Sequence, residues 1–319
     1  AGGTLNVGYS GGQSNVLWID GAGVSGSAIL TNCSVSVGNS GANNNSMIIT
    51  NGGRFYYDSA GSYVGNAAAD NVLCVVGGGA GASIYNGGNR TLYVGSGNGA
   101  RNTLVIDGGG ILGSAVMTNV NTLNIAYRPA SGSSNNVVIV TNRGVLALGA
   151  GTHSIGNADN NTYYSSDNGL EIAAGGRVYS AGPLIVGNMA YQACLARNRL
   201  VVRDADSLLD MGAKNITVGI ETGNGYGVSN SFFVIDAGLV TNAGSVSIGM
   251  SGVANEANGP VPPYTTSTTA PWKRHCASRI AAQRPRTNAT VRLVSRRHEA
   301  AFAAAKSVES KPLARAKTS

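Results

Sequence analysis

The sequence lacks any apolar run of the roughly 18 residues that a membrane-spanning helix requires, so we predict no membrane span. Its four cysteines include no Cys-x-x-Cys pair, and their spacing predicts neither a zinc site nor a particular disulfide. The chain begins at Ala1 with neither the charged nor the apolar segment of a secretory leader. We interpret it as a fragment rather than as a chain whose leader was removed.

Glycine is absent from residues 260–319, although the chain contains 47 glycines. Residues 1–258 carry a net charge of −3 and residues 259–319 carry +10, which together give the +7 of the whole chain. We predict that 259–319 is a basic, poorly ordered tail with one helix over Ser295–Ser310, either an unrelated extension or a translation of the wrong reading frame. Beyond Trp272, few aromatic residues are interleaved with its charges, so we do not expect nucleic acid as a partner.

The sequence is rich in one repeated line, in which an asparagine opens a short apolar strand and a glycine closes it. The asparagines recur 26 to 34 residues apart, a spacing typical of stacked structural repeats. The eight copies begin at Asn15, Asn45, Asn71, Asn102, Asn136, Asn168, Asn198 and Asn230. We predict that these asparagines stack as a hydrogen-bonded structural ladder at one corner of the array.

The apolar positions of the repeat predict its strands. The residues two and four places after each asparagine are apolar, and those at the fourth place are all β-branched. Such a period of two indicates a strand whose alternate side chains face one core. A second strand recurs between the copies, as in Leu5–Gly8, and a third, weaker strand follows the first corner. The glycine eight places after the asparagine, replaced only by Asp206, predicts a corner with positive φ.

Short strands joined by Gly- and Asn-rich corners predict the fold class, which is all-β. We expect residues 1–258 to form a single parallel β-solenoid of about eight to nine coils with a period near 30 residues. A right-handed solenoid is favoured, because left-handed forms usually carry hexapeptide repeats, which are absent here.

The Val-Gly and Asn-x-Leu-x-Ile-x-x-Gly-Gly lines resemble the passenger-type repeats of bacterial autotransporters and the pectate-lyase-like right-handed β-helix proteins. The resemblance covers about residues 1–250. It implies secretion or display at the cell surface. Adhesins and polysaccharide-degrading enzymes share this scaffold, so the resemblance leaves both activities open.

One repeat concentrates charge and supplies the candidate catalytic residues Arg203, Asp204 and Asp206. The resemblance implies that lyases on this scaffold use carboxylates to hold Ca²⁺ and a basic side chain as base, whereas glycosidases use paired carboxylates. The preceding repeat offers Ala174 and Gly176 at the equivalent positions. We therefore favour a solvated charged turn, and expect no metal or cofactor unless Ca²⁺ serves an enzyme here.

The residues between the two core positions are predicted to point outward, yet seven of the eight are apolar. This outward stripe consists of Trp18, Ile48, Val105, Ile139, Val201 and Phe233, together with Cys74 and the polar exception Glu171. Packing by the chain's own segments is one interpretation, and a lateral interface with another rod, a cell-surface partner or a glycan is the other. His153 occupies an inward position, where we expect a hydrogen-bonded core residue.

We expect a secreted or cell-surface structural or adhesive stalk that contacts glycans or other surfaces. The alternative is a carbohydrate-active enzyme, either a polysaccharide lyase or a glycosidase, on the same scaffold.

Overall fold

The computed structural model describes residues 3–57, 61–79, 81–127, 133–158, 164–190, 194–222 and 226–251. They form a parallel β-solenoid of about seven turns with a period near 31 residues, which confirms the predicted fold class. The predicted basic segment 259–319, with its helix, lies outside the described residues. The described part of the chain contains no helix of the length and apolarity needed to cross a membrane.

Three parallel sheets form the walls of the solenoid. Sheet A comprises Thr4–Tyr9, Ile29–Thr31, Ser34–Asn39, Arg54–Tyr56, Ser62–Asn66, Ser83–Ser96, Ala115–Tyr127, Val145–Leu148, His153–Ala158, Arg177–Ser180, Leu184–Ala190, Leu208–Thr222 and Leu239–Ser251. Sheet B comprises Val16–Asp20, Ser46–Thr50, Val72–Val76, Thr103–Asp107, Val137–Thr141, Gly169–Ile172, Arg199–Arg203 and Ser231–Ile235. Sheet C comprises Ser133–Ser134, Tyr164–Ser166, Cys194–Ala196 and Tyr226–Val228. With about 4.8 Å between neighbouring strands, seven turns give a rod about 34 Å long.

Sheet B has the register that the repeats predict. Leu104 pairs with Leu73 in the preceding coil and with Val138 in the following one, and Ile106 lies two residues further along the same buried face. The side chains at these positions are fully buried in the interior coils, so they stack on one another along the axis. Each buried aliphatic side chain contributes roughly 2 kcal/mol of hydrophobic free energy, and no single coil could bury its own apolar face.

The weaker third strand is present and belongs to sheet A. Arg54–Tyr56 pairs with Ile29–Thr31 on one side and with the first part of Ser83–Ser96 on the other. Its central residue, Phe55, packs against Tyr85 in the core with ring centroids 5.0 Å apart. In four coils this strand and the second predicted strand run together, as Ser83–Ser96, Ala115–Tyr127, Leu208–Thr222 and Leu239–Ser251.

The prediction of positive φ at the corner glycine is wrong for most copies. Gly23 and Gly110 do adopt positive φ, but Gly53 and Gly144 do not. An added Cβ on Gly144 would overlap the carbonyl oxygen of Ile106 in the preceding coil. Glycine is therefore required at these corners because the backbones of two coils approach closely, and not because of a left-handed conformation.

Candidate functional site

The predicted asparagine ladder is confirmed. The Oδ1 atom of Asn102 accepts hydrogen bonds from the backbone N–H of Asn71 at 3.0 Å and from its Nδ2 at 3.1 Å. The same pair of bonds joins every step from Asn15 to Asn230. Because these amides are buried and hydrogen-bonded through the interior coils, the ladder has a structural role.

Each ladder asparagine is preceded by a residue in the left-handed conformation, a feature that the sequence analysis did not predict. The eight residues are Ser14, Asn44, Asp70, Arg101, Asn135, Asp167, Arg197 and Ser229, with φ between 54° and 60°. None is glycine, so each carries the steric cost of that conformation. Backbone hydrogen bonds to the next coil offset the cost, such as that from Arg101 N to the Ser134 carbonyl at 2.9 Å.

Two of the three candidate catalytic residues, Arg203 and Asp204, lie in a network of ion pairs with Glu171. Arg203 Nε lies 2.8 Å from Glu171 Oε1, and its other amino groups contact Glu171 and Asp204. The hydrogen bond with Glu171 is the main cause of a raised pKa for Arg203, which therefore stays charged and is a poor general base. Asp204 also accepts a hydrogen bond from the backbone of Ala174, while Asp206 is exposed. This geometry favours the charged-turn interpretation, and catalysis here stays an alternative prediction.

His153 has the environment expected of a core residue. Its ring is fully buried, and Nδ1 lies 3.1 Å from the backbone nitrogen of Leu123. Since an N–H group can only donate, Nδ1 accepts, and Nε2 carries the proton that bonds the Gly149 carbonyl at 3.1 Å. Burial lowers the pKa of His153 to about 4. The neutral ring is thus part of the folded structure.

We expect this histidine to make the fold acid-sensitive. The folded-state pKa lies below the ordinary value of 6.5, so the unfolded chain binds the proton more readily as the pH falls. Stability should therefore fall by about 2 kcal/mol between pH 7 and pH 5 from this group alone. Denaturant unfolding of the wild-type chain and of His153→Leu at both pH values isolates the effect, because the other titrating groups are shared. Parallel losses in the two proteins would contradict the assignment.

The outward stripe lies on the outer face of sheet B, as predicted. Trp18 is 61% exposed and Phe233 is 36% exposed, near the two ends of the described solenoid. The residues between them are half-buried by their neighbours on the same face. Cys74 belongs to this set as a free thiol, and burial raises its pKa, so it is a weak nucleophile. The binding role of the stripe stays a prediction.

An open depression lies on the outer face of sheet A. Its lining comes from three successive coils and consists of Gly61, Tyr63, Asn89, Arg90, Thr91, Tyr93 and Asn121. Tyr63 and Tyr93 pair in register and their rings stack, with centroids 4.9 Å apart and planes inclined by 10°. The ring of Tyr127 continues the row at 5.0 Å from Tyr93. We call this row the tyrosine ladder.

Glycine at position 61 makes room for the tyrosine ladder. A Cβ atom added to Gly61 would lie 3.0 Å from Cε2 of Tyr93, closer than ordinary packing allows. Polar groups complete the lining, and the side chains of Asn89, Arg90 and Asn121 form no hydrogen bond or ion pair with another described residue. The depression therefore combines aromatic surface with several polar groups that are open to a ligand.

Tyr57 follows the strand Arg54–Tyr56 and carries a buried hydroxyl in the core. Its side chain is only 5% exposed, and its hydroxyl has no hydrogen-bond partner among the described residues. Burial raises the pKa of Tyr57 to about 12, while the nearby charge of Arg90 opposes that rise and Tyr63 and Tyr93 add to it. At neutral pH the hydroxyl keeps its proton and remains a hydrogen-bond donor.

The sequence analysis missed Arg90 and Asn121 as members of one site. The available signal was the recurrence of tyrosine at positions 63 and 93, the same place in two successive repeats. Within the described ranges, no group of three or more His, Cys, Asp or Glu side chains is arranged to hold a metal ion.

Taken together, the fold and the depression define a parallel β-solenoid with an aromatic-lined outer face. Comparison with protein-family models, with curated proteins and with solved structures finds no match to this chain. The resemblance to autotransporter passengers and pectate-lyase-like proteins therefore rests on the repeat motifs.

Proposed function

We propose that this chain is a secreted or cell-surface β-solenoid stalk that binds glycans on its outer face without cleaving them. The observation that carries the proposal is the stacked pair Tyr63 and Tyr93 beside the open depression. A sugar ring has an apolar face of C–H groups and a rim of hydroxyls. Aromatic side chains suit the first, and the amide, hydroxyl and guanidinium groups of the lining suit the second.

The rigid scaffold supports this function. The tyrosines project from strands whose register is fixed by parallel pairing and by the buried core beneath them. Aromatic side chains held in this way lose little conformational entropy when a ligand binds, so more of the contact free energy is available for affinity. The solenoid would act as a stalk, and the depression would supply the contact.

We expect Tyr93→Ala to weaken glycan binding by about tenfold or more, because Tyr93 is the central ring of the tyrosine ladder. Binding is measured on an array of neutral gluco-, manno- and galacto-oligosaccharides and of oligouronates. Tyr179→Ala is the matched control, since Tyr179 is an exposed tyrosine outside the lining of the depression. A wild-type chain that binds no member of the array, or binding that survives in Tyr93→Ala, would contradict the proposal.

The same incubations test the enzyme alternative. Release of new reducing ends or of unsaturated sugars would show cleavage. Loss of that release in Asp204→Ala would then assign the chemistry to the charged turn of Arg203, Asp204 and Asp206, and Ca²⁺ dependence would identify a lyase-like mechanism. We expect no product from the wild-type chain.

A further inference from the structure

We propose that Tyr93 and Tyr127 are a site of oxidative crosslinking, at which a carbon–carbon bond between their phenol rings joins two neighbouring coils. The co-reactant is a one-electron oxidant, the class of reagent that peroxidases generate from hydrogen peroxide. The crosslink does not depend on glycan binding. It would tie the strand Ser83–Ser96 covalently to Ala115–Tyr127 and so restrict the unfolded chain.

The two contacts within the tyrosine ladder have different geometries. Tyr63 and Tyr93 are stacked, with ring centroids 4.9 Å apart and ring planes inclined by 10°. The rings of Tyr93 and Tyr127 have centroids 5.0 Å apart, but their planes are inclined by 46°. Because the two distances are almost equal, it is the orientation of the rings that distinguishes the pairs.

The crosslinked product requires the tilted arrangement. A bond between the carbons next to the two phenol oxygens joins the rings edge to edge, and crowding between the hydroxyl groups holds the ring planes at an angle. Stacked rings present their faces to each other, so Tyr63 and Tyr93 would first have to leave the stack. The pair formed by Tyr93 and Tyr127 therefore lies nearer to the geometry of the product.

The strand register gives the same order. Tyr63 and Tyr93 pair directly across adjacent strands, which lie about 4.8 Å apart. Tyr93 pairs with Asn124, and Tyr127 pairs with Ser96, so Tyr93 and Tyr127 occupy diagonal positions. Diagonal neighbours are further apart at Cβ than direct partners are. Two rings joined edge to edge need that extra width between their Cβ atoms, whereas two stacked rings do not.

The reaction is a two-electron oxidation of the pair. Each tyrosine gives one electron to the oxidant and its hydroxyl proton to solvent, which leaves a phenoxyl radical. The two radicals couple at the carbons next to their oxygens. Each bonded carbon then loses its hydrogen as a proton and each oxygen regains a proton, so the product lacks two hydrogen atoms. Tyr93 lines the open depression and Tyr127 is half-buried, and their contact favours coupling within one chain over coupling between chains.

The test is photochemical oxidation of the full chain with a ruthenium(II) polypyridyl complex and persulfate, which accepts the two electrons and becomes sulfate. Trypsin digestion and mass spectrometry then locate the bond. Cleavage after arginine leaves Tyr93 as the only tyrosine of the peptide 91–101 and Tyr127 as the only tyrosine of 102–143. We expect these two peptides to be joined, with a mass equal to their sum less two hydrogen atoms. Incomplete cleavage between them is distinguished because its product lacks one water instead.

Two conservative variants make the assignment specific. We expect Tyr127→Phe to remove the joined peptide, because phenylalanine has no hydroxyl from which a phenoxyl radical forms. Tyr63→Phe is the matched control, since it changes the stacked neighbour of Tyr93 and should leave the joined peptide at the wild-type yield. The yield should also be independent of the concentration of the chain.

Oxidation of the denatured chain is the second control, because it shows that the oxidant couples tyrosines when the fold is absent. Three results would overturn the proposal. The first is a main product that joins 91–101 to the peptide 55–90, which contains Tyr63. The second is a yield that rises with the concentration of the chain. The third is no joined peptide from the native chain under conditions that crosslink the denatured one.

Discussion

Asn102→Asp is expected to destabilise the solenoid by about 4 kcal/mol at neutral pH, the largest loss that we predict for a near-isosteric change. The Nδ2 group of Asn102 donates to the Ala68 carbonyl at 2.9 Å and to Asn136 Oδ1 at 3.0 Å. A carboxylate at this position would turn an oxygen toward two acceptors and bury a charge with no partner. The new carboxylate would still accept the two hydrogen bonds that Asn71 donates to position 102.

Thermal and denaturant unfolding, followed by the strand signal in circular dichroism, measure this loss. Asn142→Asp is the matched control, because Asn142 is exposed and its bond to Asp107 at 3.2 Å is reached by water. We expect that control to lose less than about 1 kcal/mol, since solvent screens the new charge. Protonation of the new carboxyl at acid pH should recover part of the stability of Asn102→Asp. Similar losses in the two variants would show that the ladder does not depend on buried amides.

The repeated asparagine and the paired apolar positions were sufficient to predict the fold. Their spacing fixes which residues of successive coils pair, because a parallel ladder aligns equivalent positions such as Leu73 and Leu104. The left-handed residues before each asparagine could not be predicted. Their identities include Ser14 and Arg101, which have no preference for positive φ, and it is the backbone pairing with the next coil that holds them there.

At the charged turn of Arg203, Asp204 and Asp206, the sequence analysis did not predict the ion-pair partner of Arg203. The sequence analysis compared Asp204 and Asp206 with the residues at the same places in neighbouring repeats. Arg203 forms its ion pair with Glu171, a residue of the outward stripe. The two residues do not pair directly across the strands, because Glu171 pairs with Val201, which lies two residues before Arg203. On one face of a sheet, such diagonal neighbours lie within reach of long side chains. A search that included diagonal positions would have found this ion pair.

The tyrosine-lined depression was only partly predictable. The equivalence of Tyr63 and Tyr93 is visible in the repeats, and their stacking follows from the register. Arg90 lies within the strand Ser83–Ser96 and Asn121 within Ala115–Tyr127, where the register shifts on both sides of the pair formed by Arg90 and Val120. The repeat does not reveal such a shift, so the sequence does not tell which side chains meet there.

Gly95→Ala is expected to cost about 3 to 4 kcal/mol, because Gly95 supports the asparagine ladder from the adjacent wall. Its φ is +74°, and an added Cβ would overlap the side-chain amide of Asn136. The methyl group would add left-handed strain and displace a buried amide that bonds two coils.

Ala126 is the natural counterpart, buried with φ of 59° at the equivalent place in the next coil, so that coil already accommodates a methyl group. Ala126→Gly should therefore change stability by less than about 1 kcal/mol, since relief of strain is offset by the greater freedom of the unfolded chain. The denaturant midpoints of the two variants, compared with that of the wild-type chain, measure both changes in stability. A small loss in Gly95→Ala would mean that the ladder can shift to admit a side chain, and that glycine is not what fixes its position.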